Sequence, residues 1–155
     1  MMILASYFYE TSIGKIRITE KNGSITNVYF TDDNCPTDIE IHETPVLKEA
    51  AEQLKSYLAG QLTTFSLPLN PDGTVFMKQV WSNLCEIPYG TTVSYKKLAE
   101  KMGRPNAARA VGLANHQNPI PIFIPCHRVI GSDGSLVGYR GGIELKNNLI
   151  KMETR

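Results

Sequence analysis

No apolar run in this chain approaches the length needed to cross a bilayer, and no repeat or low-complexity tract interrupts it. With 42% hydrophobic and 20% charged residues, the composition is that of a globular chain, so membrane-spanning and disordered classes drop out together. Cysteine is scarce. Cys35, Cys85 and Cys126 cannot all pair within one chain, which argues against a disulfide framework. The opening Met1-Met2-Ile3-Leu4 has no basic flank, so no secretory leader is expected and a cytoplasmic location is. Metal ligands are sparse too. Cys35 and His42 fall short of the roughly four ligands of a structural zinc site, and neither metal nor cofactor is expected.

Net charge is also nearly absent, at +1 over 155 residues. The sum conceals an asymmetry. Residues 1–73 hold 5 Lys/Arg against 10 Asp/Glu, whereas residues 74–155 hold 11 against 5. An acidic half followed by a basic half fits a polyanion that faces only the second. Two lobes docked by charge would fit equally well. The turn sequence Asn70-Pro71-Asp72-Gly73 marks the boundary, giving domains 1–73 and 74–155.

The first domain reads as short strands, residues 3–9, 15–21 and 25–31, rich in aromatic and β-branched residues. Thr11-Ser12-Ile13-Gly14 and the hairpin dipeptide Asn22-Gly23 separate them. Residues 32–43 read as a polar, acidic loop. Thr44-Pro45 then supplies an N-cap and a first-turn proline for a helix with one apolar face (Val46, Leu47, Ala50, Ala51, Leu54, Tyr57, Leu58), ended by Gly60. Beyond the boundary the pattern becomes helical. Val75, Phe76, Val80, Trp81, Leu84 and Cys85 share helical spacing, which places Cys85 in the core. Ser94 caps a second helix that stops at Gly103, and Asn106 caps a third, residues 107–116. Helix, turn, helix in a basic lobe fits DNA binding, although many enzymes share the pattern. Ala107, Ala108, Ala110 and Gly112 around Arg109 would let the third helix approach a groove closely, or else pack on another helix. His116 ends that helix and is expected to meet solvent or phosphate.

Ile124-Pro125-Cys126-His127-Arg128-Val129 is the densest chemistry in the chain. A nucleophilic thiol needs a base or cation to favour thiolate, and a fixed position. His127 and Arg128 can supply the first, and Pro125 restricts the backbone for the second. Neighbours on an extended chain face apart, however, so the pair needs a fold that brings them together.

Residues 81–153 resemble the C-terminal domain of the methylated-DNA–protein-cysteine methyltransferases, the O6-alkylguanine repair proteins. The resemblance rests on Ile87-Pro88-Tyr89-Gly90-Thr91-Thr92-Val93-Ser94-Tyr95, Arg109-Ala110-Val111-Gly112 and Asn118-Pro119. It continues through the Cys126 hexapeptide with Ile130, then Gly138-Tyr139-Arg140-Gly141-Gly142, Lys146 and Glu153. It implies an α+β protein: a small N-terminal α/β lobe with an antiparallel sheet, and a mainly helical C-terminal domain with a winged-helix-like helix-turn-helix.

Certain roles follow from the resemblance. Cys126 would accept the alkyl group, with His127 drawing its proton through a water and Glu153 holding the imidazole in its charged form, so that the thiol titrates below a free cysteine. Asn118 would tie the recognition helix to the active-site loop. Tyr95 would donate to guanine N3, and Val129, Tyr139, Arg140 and Pro121 would line the base pocket. Ala107, Ala108 and Gly112 would face the minor groove, with Arg109 filling the space left by an extruded base. The implied partner is double-stranded DNA containing O6-alkylguanine, bound by a monomer with no membrane. Two other functions compete. A non-catalytic binder of the alkyltransferase-like type carries another residue at the cysteine position, which Cys126 opposes. A Cys-His hydrolase would need an oxyanion hole, for which the basic helical context gives no reason.

Overall fold

The computed structural model describes residues 4–155. Met1, Met2 and Ile3, the last of these placed by the sequence at the head of the first strand, lie outside the described residues. The chain divides into two units, Met1–Asp72 and Gly73–Arg155.

The first unit is a four-stranded sheet with one helix. Strands β1 (Leu4–Thr11), β2 (Gly14–Lys21) and β3 (Ser24–Tyr29) run antiparallel, and β4 (Glu40–Ile41) adds to β1 in parallel, giving the order β3-β2-β1-β4. The sheet is therefore mixed, and the acidic segment 32–43 is not all loop. Alternation of polar and apolar residues hides a two-residue strand, which has no period to read. Asn22 and Gly23 both have positive φ, the geometry a two-residue β2-β3 turn requires.

Helix α1 (Pro45–Leu58) starts where Thr44 Oγ1 accepts from the Leu47 N–H, and Gly60 follows its end at φ +75°. Its face of Leu47, Ala50, Ala51, Leu54 and Tyr57 is buried with Ile16, Ile18, Ile25 and Val28, each large side chain contributing about 1.5–3 kcal/mol. On β2, Arg17 is buried as well. Its Nε donates to Ser6 Oγ and its Nη1 to the Pro36 carbonyl, which pins the segment after β3.

The second unit is mainly helical: α2 (Val75–Leu84), α3 (Tyr95–Lys101), α4 (Ala108–His116) and α5 (Ile143–Glu153). Helices α3 and α4 are the helix-turn-helix pair. Ser94 caps α3 through its bond from the Lys97 N–H. Asn106 does not cap α4. Ala107 holds the N-cap position, and no side chain bonds to the first turn. Trp81 Nε1 donates to the Ala114 carbonyl at 2.9 Å, which locks α4 onto α2.

Two expectations for α2 fail. Val75 is 76% exposed, and Cys85 is exposed at the C-cap, one residue past the last turn, where the helix no longer carries it toward the core. Two strands escaped the sequence reading. β5 (Val93–Ser94) and β6 (Val129–Ile130) pair in parallel, splicing the start of α3 to the segment after Cys126. Among the described residues no helix is long and apolar enough to cross a membrane.

Candidate active site

The conflict between adjacent Cys126 and His127 is resolved by a turn. Cys126–Arg128 forms one turn of 3-10 helix, opened by Pro125 and closed by the extended Val129. Three residues per turn spread successive side chains around the axis. All three are buried: Cys126 is 5% exposed, His127 0% and Arg128 7%.

Glu153, in the last turn of α5, organises the other two. His127 Nε2 lies 2.8 Å from Glu153 Oε2, while Arg128 donates from Nε to Oε1 at 2.8 Å and from Nη2 to Oε2 at 3.0 Å. The guanidinium also donates from Nη1 to the Ile87 carbonyl at 2.7 Å. Bidentate pairing of this kind fixes geometry as well as charge. Arg128 thus serves the carboxylate, and it is not the cation beside the thiol. Gly90 makes the fit possible: at φ +80°, a Cβ there would lie 2.9 Å from the Glu153 backbone oxygen.

Two electrostatic expectations are corrected. Burial pushes the Cys126 thiol up, against opposing pulls from Asn118, Lys146 and Arg140. Burial also pulls His127 down, with Glu153 opposing it and Arg128 reinforcing it. The carboxylate expected to charge the imidazole already balances a guanidinium, so the resting pair is a neutral thiol and a neutral imidazole. With Nε2–H donated to Glu153, Nδ1 carries the lone pair that can accept a proton.

Asn118 follows α4 and shapes the turn ahead of the thiol. Its Nδ2 donates to the Ile124 carbonyl at 2.8 Å and its Oδ1 accepts from the Ile120 N–H at 2.9 Å. Ile122 within this turn has φ +73°, a strained conformation for a β-branched residue. Pro121 is buried and bridges to Ile124. Asn115, which the sequence reading missed, is buried on α4 and donates from Nδ2 to the Cys126 carbonyl at 3.3 Å. The signal was present: Asn115 stands four residues after Val111, on the same buried stripe of α4.

Around the thiol, Tyr139 is buried with its ring edge-on to His127, 6.5 Å between centroids. Val129 is buried in the β5-β6 ladder, and Arg140 is exposed. The Tyr95 hydroxyl donates to the Val137 carbonyl at 3.3 Å, and Gly112 packs beside its ring. On α4, Arg109 and Ala110 are exposed, Ala107, Ala108 and Gly112 half-buried, and Leu113 59% exposed. This is a smooth face with one cation and one apolar residue. His116, exposed, ends it. Cys35 is half-buried, with its thiol 3.7 Å from the Asp33 carbonyl.

With this geometry in place, comparison with known proteins is decisive. The profile of the 6-O-methylguanine DNA methyltransferase DNA binding domain matches residues 75–155, and that of the same family's ribonuclease-like domain matches residues 4–71. The chain belongs to the O6-methylguanine DNA methyltransferase family. It is 47% identical to a methylated-DNA–protein-cysteine methyltransferase of Methanosarcina barkeri, over 93% of each chain. The constitutive enzyme of that name from Bacillus subtilis is 44% identical, over 93% of this chain and 92% of its own. The crystal structure of Mycobacterium tuberculosis OGT in complex with DNA superposes with a TM-score of 0.91 at 41% identity, covering 97% of this chain and 92% of that one. Family membership therefore rests on both units, whereas the sequence resemblance rested on the second alone.

Proposed function

We propose that this methyltransferase repairs DNA by moving the alkyl group of O6-methylguanine irreversibly onto its own Cys126, one turnover per molecule. The observation that carries the reading is the buried Cys126 turn, clamped through His127 and Arg128 onto one carboxylate, Glu153. The thiol proton leaves through a water to His127 Nδ1. Sulfur then attacks the alkyl carbon in line, the carbon–O6 bond breaks, and guanine departs with the electron pair. Tyr95, released from Val137, donates to guanine N3 and stabilises that anion. Val129, Tyr139, Pro121 and the Arg140 backbone wall the base pocket.

The lesion lies inside a duplex, so the base is swung out before transfer. Helix α4 enters the minor groove of double-stranded DNA with Ala107, Ala108 and Gly112 against the backbone, and Arg109 takes the vacated space. A monomer suffices, since every proposed group comes from residues 93–153. Cys126 at the acceptor position disfavours a binder without catalysis.

The test is incubation with excess O6-methylguanine duplex, followed by intact mass. One methyl group per molecule, with no further turnover, is expected. Tight binding without an adduct would support the non-catalytic alternative, and neither would remove the reading.

A further inference from the structure

Asn115 uses only half of its amide. The residue is 4% exposed in the last turn of α4. Its Nδ2 donates to the Cys126 carbonyl at 3.3 Å, and this fixes the orientation of the amide, because a carbonyl can only accept. The other end, Oδ1, is shut away from solvent and accepts no hydrogen bond among the described residues. Buried amides seldom leave an acceptor open, since an oxygen that loses water and gains nothing in return is destabilising. The same amide lies beside the Tyr95 hydroxyl, near enough to favour its ionised form. The Tyr95 ring in turn lies along α4, 3.6 Å from where a Cβ on Gly112 would stand, one turn before Asn115. Asn115 therefore touches both the backbone of the nucleophile and the residue assigned to guanine N3.

Alkylation at O6 fixes guanine in the form that has no N1 proton, so N1, N3, N7 and O6 are all acceptors. The exocyclic 2-amino group is the one donor left on the base, and it is carried by C2, the neighbour of N3. Resting on the alkyl-transfer reading above, we propose that Asn115 is a specificity-determining residue: its buried Oδ1 accepts a hydrogen bond from the 2-amino group of the extruded base. Tyr95 and Asn115 then read adjacent atoms on one edge of the purine, the hydroxyl donating to N3 and the amide accepting from the amine. An O6-alkylhypoxanthine, which lacks the amine, leaves Oδ1 buried and unpaired. An O4-alkylated thymine offers no amino group either. A site built to pair a donor rejects the analogue without it, so this one acceptor selects alkylated guanine over other alkoxy bases.

The test compares benzyl transfer to the full chain from O6-benzylguanine and from O6-benzylhypoxanthine, which lacks only the 2-amino group, followed by intact mass. Neither free base needs extrusion, so the pair reports the pocket alone. The wild type should react about tenfold or more faster with the guanine, and Asn115→Leu should lower that ratio by about tenfold. Loss of the Nδ2 bond to the Cys126 carbonyl slows both purines equally and cancels in the ratio. Equal rates in the wild type, or an unchanged ratio in the variant, would overturn the proposal. Should Asn115→Leu fail to fold or react with neither purine, Asn115→Ala removes the acceptor without adding bulk, suits a helix and is read by the same ratio. A wild type that takes benzyl from neither purine and no methyl from a lesion duplex would instead sink the alkyl-transfer reading.

Discussion

Each unit of this protein buries an arginine, and the two are held in opposite ways. Arg17 in the first unit bonds to a hydroxyl and a backbone carbonyl, and its guanidinium lies 5.3 Å from the centre of the Phe8 ring. Arg128 in the second clasps a carboxylate that also holds a histidine. The first arrangement pins a loop through a hydroxyl, a backbone carbonyl and a ring face, none of them a charged partner. The second couples a guanidinium, an imidazole and a thiol turn through one acid. A buried charge therefore marks a reactive site only when its partners are themselves ionisable and lead to a nucleophile.

The contrast is sharpened most by Cys126→Ser. A hydroxyl fills nearly the same space and is a far poorer nucleophile, so methyl transfer should vanish while affinity for a lesion duplex, measured by gel shift, remains. Residual transfer would move the acceptor to the exposed Cys85.

Next in size is a pair of substitutions, one at each arginine network. Glu153→Gln leaves the Arg128 charge buried without its anion, and urea unfolding should show a loss of about 3–5 kcal/mol together with slowed transfer. Arg17→Met should cost about 1–2 kcal/mol, with the transfer rate of the folded protein unchanged. A transfer defect in folded Arg17→Met would break the comparison outright.

How far the sequence foretold this contrast differs between the units. The Asn22-Gly23 hairpin, the Thr44-Pro45 helix start and the Ser94 cap were legible because each is set by residues adjacent in the chain. The strands β4 and β5-β6 were not, because two-residue strands carry no periodicity. At the site, Cys126, His127 and Glu153 came from motif, but their electrostatics did not. The sharing of Glu153 with Arg128 joins residues 25 apart in sequence, and its effect on His127 depends on burial that no spacing encodes. Lys146 was legible only as part of a matching pattern. That it brackets Leu149 with Glu153 on the inner stripe of α5 was the overlooked signal.

Arg109→Ala probes the surface rather than the buried network. Repair of duplex O6-methylguanine should slow by about tenfold or more relative to transfer from a free O6-alkylguanine base, which needs no extrusion. A phosphate contact would instead weaken all DNA binding evenly and steepen the loss at high salt. Equal slowing on both substrates would assign Arg109 to the fold.

The smallest effect is a pH slope. His127 is depressed in the folded state by burial, so below its ordinary value of 6.5 the unfolded chain binds a proton that the folded one does not. Stability contributed by neutral His127 is therefore present above that pH and is lost as pH falls, by at most about 1.4 kcal/mol per pH unit. Urea unfolding across pH 7 to 5 should show the slope, and His127→Gln should flatten it.

The central claim is that the reactive thiol is the buried one. Exposed to a stoichiometric O6-methylguanine duplex, digested and mapped, the wild-type protein should carry its methyl group on Cys126, with Cys85 and Cys35 unmodified. A methyl group on Cys85, the exposed thiol, or an even spread over the three cysteines would contradict the account.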